Sequence, residues 1–320
     1  MKPTHFYLVG EAMALLIAQE EGLLEEVETW KTGIAGAELN VAIGLTRMGH
    51  QVSFLTAVGN DSFGRLILRF LEKNGIDTSL VTIVESRSTG FMLKGRVSQG
   101  DPPIQYYRRN SAASALGEQQ IEKCLCKMQD GFLHMTGIFP ALSQNTFAAS
   151  CTLMESAQKA GIPISFDPNL RPQLWKDQDT MRDSLNRLAG YAQIILPGVG
   201  EGKLLTGQDK PEDIAGYYLE KQAELVVVKT GASGAFAATK QEQISQAPFF
   251  VEKVVDTVGA GDGFAVGVLS GLAEGLSVGE SLRRGNAIGA LQVMSPGDNT
   301  GLPIRKQLEE FMAVTPQLAV

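Results

Sequence analysis

Short apolar runs that predict strands alternate with longer segments that predict helices along most of the chain. In the first half, residues 6–9 and 52–57 are such apolar runs, and the segments 36–48 and 62–74 have the character of helices. Gly75 follows the second helix at the position where a glycine commonly ends one. This alternation predicts an α/β fold with a mainly parallel, doubly wound sheet.

The second half repeats the alternation and ends in helices. A helix is expected over 146–160, and two long helices are expected over about 262–274 and 279–293. No linker, repeat or block of charge divides the chain, so we expect a single domain over residues 1–320. The strands predicted in this half are short and apolar: residues 132–135, 164–166, 193–196 and 225–229.

Two segments break this alternation, at about 12–34 and 88–110. Polar and apolar positions alternate in both, which is typical of strands with one buried and one exposed face. We expect antiparallel strands outside the parallel sheet, forming a small β lid over one edge of the main domain. Such a lid would expose apolar area, so a homodimer formed through the lid is expected.

The charge balance and the cysteine and histidine content exclude several classes of function. The 320 residues carry a net charge of −7, which argues against a broad nucleic-acid surface. No apolar run reaches the roughly 18 residues of a membrane span, so no membrane partner is expected. Three cysteines without framework spacing suit a reducing, cytoplasmic location. The three histidines lie far apart and do not have the spacing of a His/Cys metal cage.

The stretch 256–264, Asp-Thr-Val-Gly-Ala-Gly-Asp-Gly-Phe, carries the strongest chemical signal. Gly259, Ala260 and Gly261 have little or no side chain, so their backbone N–H groups can face a ligand. At a helix N-terminus such donors favour negative charge, and Asp262 stands beside them as a potential general base. This arrangement predicts phosphoryl transfer. From this stretch alone, a tight turn with Asp262 as helix N-cap is the alternative.

Two stretches of the chain resemble the signatures of the PfkB/ribokinase family of carbohydrate kinases. The first is Gly36-Ala37-Glu38-Leu39-Asn40-Val41-Ala42 and the second is 256–267, in the order and separation of that family. The resemblance covers essentially the full length and implies a ribokinase-like three-layer α/β/α sandwich that uses ATP. It implies that Asp262 takes the proton from a sugar hydroxyl while the N–H groups of 259–261 form the anion hole. It also implies three contacts to sugar hydroxyls: Gly36, Ala37 and Asn40.

The same resemblance implies a nucleotide site in the second half of the chain. A glycine-containing loop after a core strand would contact the ATP phosphates and ribose, and Asn286 would approach the adenine. Mg²⁺ is implied, but the family's Asn-x-x-Glu is only half present, because Gly198 replaces the Asn while Glu201 remains. A solvent-facing Glu201 is the alternative. A monovalent cation such as K⁺ is an optional further cofactor. The remaining cofactor-binding residues implied are Asn169, Lys229, Thr230, Gly231, Ser233 and Gly234.

The residues around the predicted sugar site indicate an acidic substrate. Residues 10–15 lack the Asp that many neutral-sugar members carry there, which removes a carboxylate that would repel an acid. The stretches 106–115 and 166–172 resemble the 2-keto-3-deoxygluconate kinase branch of the family. By that resemblance Tyr106 and Arg108 hold the acid end of the substrate, and Arg171 reaches both substrate and phosphates.

These features predict ATP-dependent phosphorylation of 2-keto-3-deoxygluconate at its terminal hydroxyl, giving the 6-phosphate. Asp298 is a weaker candidate for substrate contact. For Arg108 the alternative is a solvated lid edge, and for Arg109 that position is favoured. The alternative functions are a fructokinase or another sugar or riboside kinase of the same family, and a non-catalytic sugar-binding regulator.

Overall fold

The computed structural model describes residues 4–97, 102–128 and 130–318. Within these ranges, nine strands form one large sheet and four form a second, smaller sheet. The strands of the large sheet are β1 (His5–Val9), β4 (Gln51–Gly59), β5 (Val81–Val84), β8 (Phe132–Thr136), β9 (Ile164–Asp167), β10 (Ile194–Ile195), β11 (Leu225–Lys229), β12 (Ala235–Ala238) and β13 (Gln243–Gln246). The strands of the small sheet are β2 (Met13–Ala18), β3 (Trp30–Ala35), β6 (Phe91–Lys94) and β7 (Ile104–Tyr107).

The large sheet has the order β13-β12-β11-β10-β9-β8-β1-β4-β5. Its strands pair in parallel from β5 to β11, and β12 and β13 add an antiparallel edge. Nearly all residues of the central strands are buried, as expected for a sheet covered on both faces. The prediction of a mainly parallel, doubly wound sheet is therefore confirmed.

In the part of the chain that the structure describes, ten α-helices join these strands and cover the large sheet. Helices α3, α4, α5 and α7 contribute apolar side chains to the core on one face, and α1, α2, α8, α9 and α10 contribute to the core on the other. This is a three-layer α/β/α sandwich. The helices are α1 (Ala37–Arg47), α2 (Ser62–Lys73), α3 (Glu118–Lys127), α4 (Gln144–Lys159), α5 (Gln178–Ala189), α6 (Val199–Thr206), α7 (Pro211–Leu219), α8 (Ala260–Ala273), α9 (Val278–Val293) and α10 (Arg305–Val314).

The small sheet is the predicted lid, with the order β3-β2-β6-β7. Its outer pairs are antiparallel, but the central pair, β2 with β6, is parallel, so the prediction of antiparallel strands throughout is wrong there. The reason lies in the connections. β2 follows β1 and β6 follows β5, and because β1, β4 and β5 run in the same direction, both lid strands leave the large sheet from the same edge. No helix in the part of the chain that the structure describes is long and apolar enough to cross a membrane.

Candidate active site

A pocket of about 490 Å³ lies between the lid and the carboxyl-terminal edge of the large sheet. Ligands commonly bind at that edge in open α/β sheets, because several strand ends bring polar residues together there. Most of the predicted site residues line this one pocket. They are Gly36, Ala37, Asn40, Tyr106, Arg108, Asn169, Arg171, Glu201, Lys229, Gly259, Gly261, Asp262 and Asp298.

The N-terminus of α8 forms one wall of the pocket. Gly259 is the N-cap and has a φ of 77°, a left-handed conformation that glycine adopts without strain. Within the described residues, no main-chain carbonyl accepts a hydrogen bond from the N–H of Gly261 or Asp262. The N–H of Ala260 instead donates to the carbonyl of Thr257 at 3.3 Å. The Gly259 N–H likewise has no main-chain acceptor among the described residues, so of the three predicted donors only that of Ala260 is engaged.

Asp262 lies in the first turn of α8 and is only 8% exposed. One carboxylate oxygen accepts a hydrogen bond from Asn40 Nδ2 at 2.8 Å, which explains why an Asn stands in the first turn of α1. Burial, together with the negative charge of Asp167, raises the pKa of Asp262 to about 7, although Lys229 and Arg171 act in the opposite direction. A carboxylate with such a pKa can accept a proton near neutral pH.

Lys229 is the last residue of β11 and reaches the floor of the pocket. Its Nζ lies 2.6 Å from Asp167 and 3.9 Å from Glu201. Burial acts to lower the pKa of Lys229, but the two carboxylates outweigh it and hold the pKa above its ordinary value. Sequence reasoning placed Lys229 in a nucleotide loop and gave Asp167 no role. The structure places Lys229 on the pocket lining and pairs it with the buried Asp167.

Glu201 is half-buried and joins two segments of backbone. Its Oε1 accepts a hydrogen bond from the Leu170 N–H at 2.9 Å, and its Oε2 accepts one from the Gly198 N–H at 2.7 Å. The alternative of a solvent-facing side chain is therefore wrong. Among the residues described here, no cluster of three or more His, Cys, Asp or Glu side chains is suited to hold a metal ion.

The loop after β9 carries two predicted residues into the pocket. Asn169 has a φ of 38°, and its backbone N–H donates to Asp167 Oδ1 at 3.1 Å. Its side-chain amide lies 3.5 Å from Asp262 Oδ1. Arg171 is oriented by a hydrogen bond from Nη1 to the Leu170 carbonyl at 2.8 Å. This loop therefore brings an amide and a guanidinium to the side of the pocket that Asp262 occupies.

The lid side of the pocket contains a buried ion pair. Arg108 is 8% exposed, and its Nε and Nη2 each lie 2.6 Å from Oε2 of Glu11. The Ser111 hydroxyl donates to the other oxygen of Glu11. The solvated-edge alternative is therefore wrong for Arg108, whereas Arg109 is exposed as predicted. The argument that the region after β1 lacks a carboxylate is also wrong, because Glu11 supplies one.

The two tyrosines of β7 separate in the way that strand alternation predicts. Tyr106 lines the pocket, and the Arg108 guanidinium carbon lies 5.9 Å from the centre of its ring. Tyr107 is not among the lining residues and stacks on Phe91 with ring centres 4.6 Å apart.

Sequence reasoning missed two further groups, one that lines the pocket and one that contacts a lining residue. Glu38 lines the pocket and accepts a hydrogen bond from the Thr136 hydroxyl at 2.6 Å. Burial raises the pKa of Glu38 to about 7, against the hydrogen bond from Thr136 and the charge of Arg108. Lys94 of β6 lies 3.3 Å from Asp298, the weaker candidate for substrate contact. Glu38 belongs to the first family signature, but its burial beside the pocket could not be inferred from the sequence.

Some predicted nucleotide contacts lie outside the pocket lining. The loop after β11 makes a 3-10 turn, Gly231–Ser233, which is exposed beside the pocket. Asn286 on α9 is buried, and its Nδ2 donates to the carbonyls of Gln246 and Ala247 at 3.0 and 2.9 Å. Its amide group therefore ties α9 to the segment after β13. The residues predicted to bind nucleotide that do not line the pocket are Thr230, Gly231, Ser233, Gly234 and Asn286.

Comparison with known proteins agrees with this fold. The model of the pfkB family carbohydrate kinases matches residues 4–305. The 2-dehydro-3-deoxygluconokinase of Bacillus subtilis (strain 168) is 48% identical over 305 residues, which are 95% of this chain and 94% of that protein. The crystal structure of a PfkB protein from Polaromonas sp. JS666 is 44% identical, with 96% of this chain and 99% of that chain covered and a TM-score of 0.88.

A structure of a putative ribokinase II from E. coli, in complex with ATP and Mg²⁺, is 27% identical and has a TM-score of 0.88. The match covers 97% of this chain and 99% of that chain. Family match, sequence identity and fold agree over nearly the whole length of the chain. The chain therefore belongs to the PfkB family of carbohydrate kinases.

Proposed function

We propose that this chain transfers the γ-phosphoryl group of ATP to the terminal hydroxyl of 2-keto-3-deoxygluconate, giving the 6-phosphate. The observation that carries the proposal is the buried Asp262 with a pKa of about 7, beside N–H groups of a helix N-terminus that no main-chain carbonyl of the described residues occupies. A base next to an anion-binding helix end is the arrangement that phosphoryl transfer requires. The 48% identity to a 2-dehydro-3-deoxygluconokinase supports the choice of substrate.

In this mechanism Asp262 accepts the proton of the attacking hydroxyl. The hydroxyl oxygen forms a bond to the γ-phosphorus while the bond from that phosphorus to the bridging oxygen breaks, and ADP leaves with the electron pair. The N–H groups of Gly261 and Asp262, together with Lys229 and Arg171, stabilise the charge on the transferring group. Asp262 then releases its proton to solvent.

The carboxylates near Lys229 are better suited to bind a magnesium ion through its water molecules than to coordinate it directly. Both oxygens of Glu201 already accept backbone hydrogen bonds, and Asp167 is paired with Lys229. Mg²⁺ usually keeps several waters and takes its other ligands from the phosphates of the nucleotide. Glu201 and Asp167 would thus hold the ion through water. When bound, the ion offsets the charge of the ATP phosphates.

The lid end of the pocket would bind the acid group of the substrate. Glu11, which also accepts a hydrogen bond from the Ser111 hydroxyl, fixes the guanidinium of Arg108 through its Nε and Nη2, whereas Nη1 takes no part in this pair. The open edge of the guanidinium can donate to a substrate carboxylate. Tyr106 stands beside Arg108 and would complete the binding surface.

A kinase for a neutral sugar such as fructose is the second candidate, and Glu11 is the observation that favours it. Glu11 places a buried carboxylate at the lid end of the pocket, called the sugar end below because the sugar would bind there, and it cancels the charge of Arg108. Carboxylates also accept hydrogen bonds from sugar hydroxyls. The two candidates differ in whether Arg108 meets a charged group of the substrate.

A substrate panel with one variant and its matched control separates the two. ADP release is measured with Mg-ATP, with and without added K⁺, against 2-keto-3-deoxygluconate, its galactonate epimer, fructose and ribose. For the acid substrates, Arg108→Leu is expected to lower kcat/KM by about 10²-fold, because a charged pairing is lost. The exposed neighbour gives the control, Arg109→Leu, with little effect.

The pattern across the panel decides the substrate class. If fructose or ribose is preferred and Arg108→Leu is tolerated, the kinase assignment stands and the acid substrate is wrong. If the wild-type protein turns over none of the four but binds one of them in calorimetry, a non-catalytic sugar-binding role replaces the proposal.

Three further properties belong to this proposal. The 320 residues would act as one catalytic unit in which the lid closes over the sugar and excludes water. The lid would also form a homodimer through its exposed residues, which size-exclusion chromatography with light scattering tests. The three free cysteines, Cys124, Cys126 and Cys151, are compatible with a cytoplasmic location.

A further inference from the structure

Lys94 is a buried lysine in the lid that makes contact with the catalytic part of the chain. It is the last residue of β6 and is 5% exposed. It shares a face of the strand with Met92, which lines the pocket. Its Nζ lies 2.6 Å from Asp256 Oδ2 and 3.3 Å from Asp298 Oδ1. One lid ammonium thus joins two carboxylates from distant parts of the chain.

Both carboxylates belong to turns that support the N-terminus of α8. Asp256 begins the turn into the helix, and its Oδ1 accepts the N–H of Val258 at 3.1 Å. Its Oδ2 also accepts the N–H of Gly297 at 3.3 Å, in the second turn. Asp298 belongs to that second turn. Lys94 is therefore bound to the structure that sets the position of the anion-binding N–H groups.

The two turns touch each other without a side chain between them. A Cβ added to Gly259 would lie 2.3 Å from the carbonyl oxygen of Asp298. The buried Gln292 donates from Nε2 to the carbonyls of Val258 and Gly297, at 3.2 and 2.7 Å. A displacement of either turn would thus be transmitted to Gly259 and the first turn of α8.

The positive charge of Lys94 also has an electrostatic effect near the N-terminus of α8. Asp256 and Asp298 put two carboxylates beside a site that must receive the phosphates of ATP. Burial raises the pKa of Asp298, and the ammonium of Lys94 opposes this and favours the charged form. Without a cation, buried carboxylates of this kind are strongly unfavourable and would repel a phosphate. Packing alone does not account for a buried lysine here, because an apolar side chain would fill the same space without a desolvation cost.

We infer that Lys94 is a positioning residue for phosphoryl transfer: from the lid, its ammonium neutralises Asp256 and Asp298 and holds the turn before α8 in the geometry that receives the phosphate. The inference rests on the proposed kinase activity. It makes the lid part of the phosphate-binding apparatus as well as a cover for the sugar.

The test compares Lys94→Met with Lys31→Met, an exposed lysine of the lid strand β3. With the sugar that the wild-type protein prefers, Lys94→Met is expected to lower kcat by about 10²-fold, because a small displacement of reacting groups has effects of this size. KM for the sugar should change less than about threefold. Lys31→Met should match the wild type.

Two additional variants separate a role of charge from a loss of folding. Lys94→Arg keeps the cation and should recover most of the kcat lost in Lys94→Met. Lys94→Ala leaves space for a small cation, so added methylammonium should raise its kcat severalfold and leave the wild type unchanged. Equal inactivity of the Met, Arg and Ala variants, with no rescue by methylammonium, would overturn the inference, as would a Lys94→Met enzyme within twofold of the wild type.

A measurement without substrate distinguishes failure of this inference from failure of the proposed function. Hydrogen–deuterium exchange of a peptide covering 256–264 should be faster in Lys94→Met than in the wild type and in Lys31→Met. Unchanged exchange in this peptide contradicts the inference whatever the sugar. If exchange rises while the wild-type protein phosphorylates no sugar of the panel, the turn is held by Lys94 and only the proposed function fails.

Discussion

The two ends of the pocket are built in different ways. At the phosphate end, the N–H donors and the base come from four consecutive residues, Gly259 to Asp262, at the start of one helix. At the sugar end, the central group is an ion pair between Glu11 and Arg108, which are 97 positions apart in the chain. The first end depends on local backbone geometry, and the second depends on how the lid pairs with the large sheet.

The two ends also differ in how they attract a negative group. Each has a basic side chain that is already paired with a carboxylate, Lys229 with Asp167 and Arg108 with Glu11. The phosphate end has backbone N–H groups in addition, whose partial charges no carboxylate cancels. At the sugar end, the group identified among the described residues for this role is the open edge of the Arg108 guanidinium. Binding of phosphate should therefore tolerate changes in side chains better than discrimination between sugars does.

The largest effect is expected from removal of the base. Asp262→Asn keeps an oxygen that can accept the hydrogen bond of Asn40 but cannot take a proton, so kcat should fall by about 10³-fold or more while KM for the sugar changes little. The coupled ADP-release assay measures both, and the exposed Asp209→Asn is the control. Activity close to that of the wild type would remove Asp262 from the mechanism.

A smaller effect, on stability, is expected at the sugar end. Glu11→Gln leaves the guanidinium of Arg108 buried without its counter-charge, so the free energy of unfolding should fall by about 3 kcal/mol. Urea denaturation measures the change, provided that the dependence of the free energy of unfolding on urea concentration is the same in variant and wild type. The matched control is Glu155→Gln, which breaks the exposed pair with Lys159 and should have no measurable effect. Equal stability of the two variants would show that the pair at the sugar end does not hold the lid.

The smallest effect is a pH dependence that belongs to the phosphate end. The carboxyl of Asp262 must be ionised to accept a proton, and its pKa is raised to about 7. As pH falls below this value, kcat/KM should decrease by about tenfold per unit, as expected for one protonation. Glu38, with a pKa also raised to about 7, titrates in the same range, so the apparent value describes both groups. A flat profile down to pH 5 would contradict the role of Asp262.

The phosphate end and the large sheet could be predicted from sequence because their signals are local. The apolar runs of 6–9 and 225–229 lie within strands of the structure, and the predicted start of α8 is displaced by only two residues. The short apolar run at 193–196 also corresponds to a strand, although only Ile194–Ile195 is paired as one. In each case the residues that define the element are neighbours in the chain.

The sugar end could not be predicted in the same way because its contacts are distant in sequence. Nothing near Glu11 indicates that Arg108 neutralises it, and nothing near Lys94 indicates its two carboxylate partners. The parallel pairing of β2 with β6 was likewise missed, because each segment has the alternation of a hairpin strand and the alternation does not specify a partner. The edge strands β12 and β13 follow the loop that was predicted to bind nucleotide, and their sequences carry no distinct signal.

The parallel pairing of β2 with β6 also has a consequence for how the protein folds. The two strands are separated in the chain by β3, α1, β4, α2 and β5, so the lid closes only after the first third of the chain has ordered. The ammonium of Lys94 can contact Asp298 only after that residue, 204 positions further along the chain, has been made. Such non-local contacts form slowly, because loop entropy must be lost before they stabilise the fold. During synthesis the four lid strands can pair once residue 107 has been made, but the buried ammonium of Lys94 lacks its full set of partners until residue 298 has been made.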